Sequence, residues 1–290
     1  MRIKARCISC LVEVREQELE RIFKNPDDRL GYMVKILNRY SGILKGEPRT
    51  PAEISTILFR YLKKLTGVED PYEEDKKLAN VVALRVYNDL RKRLQFMDSD
   101  SRLKLVVKAS LAGNALDLGV KDYTFDFESI YDEIKSLRIE VDDSWIFDEV
   151  KGLNVVFLLD NSGEAVLDRL LAEELENRGA TTIALVKEGA FQNDVTIEEA
   201  EEIGLFESFG RVVSTGTDGA SVFLDEISEE CKLALFNADL IVAKGMAHFE
   251  YLDEVKDVIN KRIVFMLKAK CTPIADALKV PLNSYVVKVI

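Results

Sequence analysis

The stretch VVFLLDNSGEAVLDRLL, from Val155 to Leu171, carries an apolar run straight into Asp160-Asn161-Ser162-Gly163-Glu164 before apolar periodicity resumes. A short run rich in β-branched and aromatic residues, then a polar turn, then spacing at helical period reads as strand, loop and helix start. The same alternation recurs downstream. TTIALV precedes a loop and TIEEAEEIG; RVVST precedes a helix ending near Phe236; DLIVA precedes FEYLDEVKDVINK; RIVFML precedes PIADALK; and SYVVKVI closes the chain. Six strand-like runs with helical crossovers predict a parallel or mostly parallel sheet covered on both faces, a Rossmann-like α/β/α three-layer domain.

Upstream the period changes. LVEVREQELERIF, RLGYMVKILNRYSGIL, PAEISTILFRYLKKLTG, EEDKKLANVVALRVYNDLRKRLQFM and SRLKLVVKASLAGNALDLG all repeat at helical spacing, so this half is predicted to be all-α. Thr50 is the expected N-cap of one helix, with Pro51 in its first turn, and Asp70-Pro71 breaks the next pair. The stretch leading to Val150 is mixed and acidic without a Gly-rich linker. The division is drawn as a helical domain over 1–140 and an α/β/α metal- and phosphate-binding domain over 141–290.

Composition narrows the chemistry. The chain has 290 residues, 47% of them hydrophobic, enough to bury a large core. Its net charge of -11 repels a phosphate backbone, and no segregated basic patch offsets it, so no nucleic-acid partner is expected. No apolar run is long enough to span a bilayer and the start lacks a signal-peptide core, which predicts a soluble cytoplasmic protein without a membrane partner. Four cysteines, of which Cys7 and Cys10 alone are close in sequence, fit a reducing compartment. Abundant Lys, Glu and Arg beside few Gln lean toward a heat-adapted source.

In open α/β sheets, ligands bind beyond the carboxyl ends of the strands. There this chain places Asp160, Asn161 and Glu164 after the first run, Asn193 and Asp194 after the second, Asp218 after the third, Lys244 after the fourth, and Lys268 and Lys270 around the end of the fifth. Asp160, Asn161 and Asp194 offer hard oxygen ligands suited to Mg²⁺ or Mn²⁺, while Lys244 and Lys268 suit a phosphoryl group held between metal and cation. The glycines of NSG and STGTDG would let backbone N–H groups face an anion. Against this stands the ordinary use of Asp-Asn-Ser-Gly as a turn and cap. No G-x-G-x-x-G follows the first run, no P-loop occurs, and His248 as the sole histidine excludes a catalytic triad and a His-rich zinc site.

Taken in order, DNSGE, QNDVTIEEA, KGMAHFE and LKAKC, with Asp70-Pro71-Tyr72 and AGNALDLGV in the helical half, resemble the metal-dependent damage-control phosphatases, long catalogued as a domain of unknown function. Cys7-x-x-Cys10 is similar to the CxxC-containing prokaryotic and archaeal branch. The resemblance covers nearly the whole chain. It implies a helical domain on an α/β/α domain and hydrolysis of small phosphate esters, such as sugar phosphates or damaged cofactor intermediates, with a divalent metal (Mg, Mn, Co or Ni). By motif position Asp160, Asn161 and Asp194 match metal ligands, and Lys244 and Lys268 match phosphate-contacting lysines. Asn114 and Asp117 match residues that face the site from the helical half. Gly245 and His248 fall in the same substrate-binding motif, where this chain carries Met246 and His248 in place of the family's Gln or Asp and then Asn. Either Asp194 or Glu164 is the expected base toward water.

For Cys7 and Cys10 three readings stand: a metal site completed by Cys231, Cys271 or another subunit, a redox pair, or a buried thiol pair. His248 reads more readily as a cap or a hydrogen-bonded surface residue than as an acid. Two other functions compete, an adenosylmethionine-dependent carboxyl methyltransferase and a non-catalytic metal or phosphometabolite binder. A homo-oligomer is compatible with all of them.

Overall fold

A computed structural model of the chain describes residues 1–113 and 127–290. The helical half comprises α1 (Ala5–Ile22), α2 (Pro26–Leu44), α3 (Pro51–Thr66), α4 (Glu73–Leu94), α5 (Ser99–Ala112) and α6 (Phe127–Ser136). Local chemistry sets their ends. Asn25 caps α2 by accepting from the Asp27 N–H, with Pro26 in the first turn. Thr50 and Glu53 cap α3 reciprocally, and Gly67 stops it at φ 73°. Helix α4 opens on Glu73, Glu74 and Asp75 and closes on Arg91, Lys92 and Arg93, opposite charges at opposite ends of its macrodipole.

The second half runs β1 (Ile139–Asp142), β2 (Asn154–Leu158), α7 (Ser162–Asn177), β3 (Thr181–Val186), α8 (Ile197–Glu202), α9 (Leu205–Ser208), β4 (Arg211–Ser214), α10 (Glu229–Phe236), β5 (Leu240–Lys244), α11 (Gly245–Ile259), β6 (Arg262–Lys268), α12 (Thr272–Leu278) and β7 (Tyr285–Val289). The sheet order is β1-β7-β6-β5-β2-β3-β4. Its pairs are parallel except β6 with β7, which is antiparallel. Six of these strands match the six runs read from sequence. The seventh, β1, was not anticipated, because IEVD is four residues long and alternates half-buried with exposed positions.

Both sheet faces are covered, and strand alternation sorts the residues cleanly. Val155, Phe157, Ala184, Val186, Val242 and Met266 turn toward α4, α5, α6 and α7. Val156, Leu158, Leu185, Ile241, Phe265 and Leu267 turn toward α10, α11 and α12. Helices α1, α2 and α3 form a smaller cluster around Leu19, Ile36 and Leu58, and α3 also sends Ala52 and Phe59 into the α11 side. The change from helix to strand falls near residue 140, but packing does not divide there: Val86, Leu105 and Ile134 share one core with Val155 and Phe157. Among the described residues no helix is long and apolar enough to cross a membrane.

This topology fixes where a ligand can bind. From β2 the chain steps outward to β3 and β4, then returns to place β5 on the other flank of β2. The crevice beyond β2 and β5 is therefore the point where strand order reverses.

Candidate active site

Asp160 and Asn161 stand at that reversal. Asp160 follows β2 and is 8% exposed, and its carbonyl accepts from the Val195 N–H at 2.9 Å. Asn161 is the N-cap of α7, and it forms an antiparallel bridge with Asp194. The Ser162 N–H donates to the Asn193 carbonyl at 2.9 Å. The loops after β2 and β3 are thus stitched backbone to backbone, which brings Asp160, Asn161 and Asp194 together. The Asn161 Nδ2 donates to Asp160 Oδ2 at 3.2 Å and to Glu164 Oε2 at 3.0 Å.

The start of α11 completes the crevice. Gly245 has φ 76°, and a Cβ there would lie 2.0 Å from Asp160 Oδ2, so only glycine lets β5 turn into α11 this close to the carboxylate. Gly113, at the end of α5, plays a matching part from the helical half, since a Cβ there would lie 2.9 Å from the Glu164 Cα. Gly163 serves packing of the same kind. A Cβ on it would meet Ala79 of α4 at 3.1 Å, so its absence lets α4 and α7 touch.

Lys244, the last residue of β5, is fully buried. Its Nζ donates to the Ser110 carbonyl (2.8 Å), Ser110 Oγ (2.7 Å) and Asp168 Oδ1 (2.8 Å), and it pairs with Glu164 Oε1 at 2.9 Å. Burial works against its charge, yet Asp168 and Glu164 outweigh it and hold the ammonium pKa above the ordinary lysine value. The lysine read as a phosphate contact is therefore saturated by protein groups and fixes Glu164. Lys268 ends β6. Its Nζ lies over the Tyr285 ring at 5.1 Å from the centroid. Lys270, two residues on, is the cation of this segment whose charge lowers the Asp160 pKa.

His248 lies behind the crevice, 1% exposed. Its Nε2 is 3.2 Å from the Leu159 carbonyl and its Nδ1 is 3.0 Å from Ser221 Oγ. Burial, then the charge of Lys187, pushes its pKa well below the usual range, so the ring is neutral, donates through Nε2 and accepts through Nδ1. It braces the residue before Asp160 from a fully buried position, where the sequence suggested a substrate contact or a hydrogen-bonded cap. Asp218 also points elsewhere. It accepts from Arg60 Nε (2.7 Å) and Lys63 Nζ (2.9 Å) of α3, fastening the helical half to the loop after β4. Asn114 and Asp117 lie outside the described residues.

Two residues that matter here escaped the reading of the sequence. Lys187, just past β3, is 1% exposed and its Nζ is 3.5 Å from Asp194 Oδ2, too long to satisfy either group as a hydrogen bond. Asp168, one turn along α7 from Glu164, anchors Lys244 with Ser110.

The electrostatics follow from this crowding. Burial pushes the Asp160 carboxyl well above its ordinary pKa, and Asp194 and Glu164 push it further, against the pull of Lys187 and Lys270. Burial raises Asp194 to about 6, restrained by Lys187. Packed carboxylates of this kind are relieved by a bound cation. Asp160 and Asp194, with the amide oxygen of Asn161 as third donor, are a hard-oxygen set suited to a divalent ion. Among the described residues no three His, Cys, Asp or Glu side chains are grouped as ligands, so the fit depends on that amide.

The cysteines are all free. Cys7 and Cys10 on α1 line a cavity together with Cys271, while Cys231 is buried in α10 with its thiol pushed up to about 12 by burial.

Comparison with known proteins agrees with the motif order. Residues 3–286 match the model of the damage-control phosphatase ARMT1-like domain. A damage-control phosphatase of Pyrococcus horikoshii is 32% identical, over 99% of this chain and 97% of that protein. One of Archaeoglobus fulgidus is 34% identical over 82% of each. A crystal structure of a DUF89 family protein from Pyrococcus horikoshii superposes with a TM-score of 0.88 at 31% identity, covering 99% of this chain and 98% of that one. The chain belongs to the damage-control phosphatase ARMT1-like family.

Proposed function

We propose that this chain is a divalent-metal-dependent phosphomonoesterase acting on small phosphate esters at the crevice beyond β2 and β5. The observation that carries the reading is the packing of the Asp160 and Asp194 carboxylates beside the Asn161 amide, with a cation, Lys187, 3.5 Å from Asp194. Asp160, Asn161 and Asp194 would hold Mg²⁺, Mn²⁺, Co²⁺ or Ni²⁺, which when bound supplies positive charge toward phosphoryl oxygens and lowers the pKa of water.

The chain's own residues do the rest. Lys187 and Lys270 bring positive charge to the same crevice and favour the phosphoryl group. The N-terminus of α7 adds its dipole in the same direction. Glu164, fixed between Lys244 and Asn161, would accept a proton from attacking water, with Asp194 as the other carboxylate proposed for that role. Lys244, Ser110 and Asp168 keep Glu164 in position.

Phosphate release from a panel of small esters, measured with each of the four metals beside an Asp160→Ala control, tests this reading. The expected result is metal-dependent release that falls by more than about a hundredfold in the control, since even partners of metal ligands cost 10–100-fold when removed. Release that ignores metal or survives Asp160→Ala overturns it.

A further inference from the structure

We propose that the alcohol portion of the ester binds in a neighbouring cavity and that it is an elongated, mainly apolar chain. This rests on the phosphatase reading. The cavity, about 380 Å³, lies between α1, α3, the first turn of α11 and the segment after β6. It adjoins the crevice through three of its own lining residues. Met246 follows Gly245, which lies against the Asp160 carboxylate. Gln192 stands two residues before Asp194, held at φ 48°. Lys270 is the cation whose field reaches Asp160. An ester whose phosphate sits at Asp160 therefore has this cavity beside it, and 380 Å³ falls within the range of small-molecule sites.

The walls name the occupant. Leu11, Val14, Pro51, Phe191 and Met246 are hydrocarbon or thioether. Burial raises the thiol pKa of Cys7 and Cys271, and burial with Cys7 raises that of Cys10, so all three are uncharged near neutrality and behave as small apolar groups. Glu250 is pushed up to about 8 by burial and is neutral below that. Of the polar residues that remain, Arg6, Glu13, Lys270 and Thr272 stand exposed toward solvent, and Gln192 and Ser55 are engaged. The Gln192 Nε2 donates to Glu18 at 2.9 Å, and the Ser55 carbonyl and hydroxyl both accept from Arg15. A polyhydroxylated sugar would enter with hydroxyls that find few partners, each a desolvation cost. A methylene chain loses nothing polar and gains by every carbon that leaves water.

The test is a calorimetric titration with n-alkylphosphonates from ethyl to octyl, Mg²⁺ present, beside phosphate release from the matching alkyl phosphates, glycerol 3-phosphate and glucose 6-phosphate. Affinity is expected to rise up to about fourfold per methylene, the ratio given by ~0.8 kcal/mol per buried CH₂, until the cavity is filled. Val14→Asp, on the partly exposed face of α1, is expected to flatten that series. Affinity that does not change with chain length, or that stays as steep in Val14→Asp, or glucose 6-phosphate outcompeting octylphosphonate, overturns the proposal. Length-dependent binding with no phosphate released from any ester supports the cavity and removes the phosphatase reading; release that is blind to chain length does the reverse.

Discussion

A single methyl group at residue 245 would fall 2.0 Å from an Asp160 oxygen, in a backbone conformation with φ 76°. Gly245→Ala is therefore expected to destabilise the fold by about 1–3 kcal/mol and also to displace Asp160. Activity should fall by more than the folded fraction does, as read from kcat beside urea unfolding. Asp168 makes a different prediction. Its pKa is raised to about 6 from 3.8, by burial first and against the pull of Lys244. Between those values the folded protein holds a proton that the unfolded chain has released, so this group stabilises fully below pH 3.8 and the contribution is lost as pH rises through 6. Asp168→Asn should flatten that slope in metal-free protein, measured by urea melts from pH 4 to 7. At this scale the sequence placed Asp160, Asn161 and Asp194 at strand ends, and the bridge between the loops after β2 and β3 brings the three together. It did not reveal that Lys244 is spent on Ser110, Glu164 and Asp168. Asp168 sits inside the decisive stretch, four residues after Glu164 and hence on the same helix face, so spacing held a signal. What the Lys244 ammonium meets depends on α5, and no local pattern records that.

Elements succeed where local chemistry agrees with global packing, as at the Thr50 cap of α3. They fail where an element exists only through its neighbour: β1 has too few apolar residues to announce itself and is a strand because β7 pairs with it. Asp70 shows a motif whose work is between elements. It accepts from the Tyr72 N–H at 2.8 Å and pairs with Lys76 at 2.7 Å. Lys76, 2% exposed, also pairs with Glu199 at 2.5 Å, and Glu199 accepts from Ser162 Oγ at the start of α7. This relay ties α4, α7 and α8 together beside the crevice. Lys76→Met leaves two carboxylates without their cation and is expected to cost about 3–5 kcal/mol, seen as a lower urea midpoint. An unchanged midpoint would show that the relay carries no stability.

Over the whole molecule, the two-period reading foresaw helices on a mostly parallel sheet but not how the halves share a core. Periodicity reports which face of an element is apolar, not which partner covers it. The packing implies uneven resistance to opening. Helices α4, α5 and α7 belong to the large core with the sheet, whereas α1 and α2 belong to the small cluster around Leu19 and Ile36. Native-state hydrogen exchange is expected to show α1 and α2 opening at lower denaturant than α7. Uniform protection would refute this.

The place of β7 in the sheet has a consequence for how the protein is made. Ile139 of β1 pairs with Tyr285, and β7 lies between β1 and β6 although it follows every other strand in the chain. While the polypeptide is being synthesised, β1 has emerged long before the strand it needs, and the edge of β6 stands open beside it. Until β7 is made and docks, the sheet lacks the strand that joins β1 to β6, and the incomplete protein carries bare strand edges that chaperones would shield.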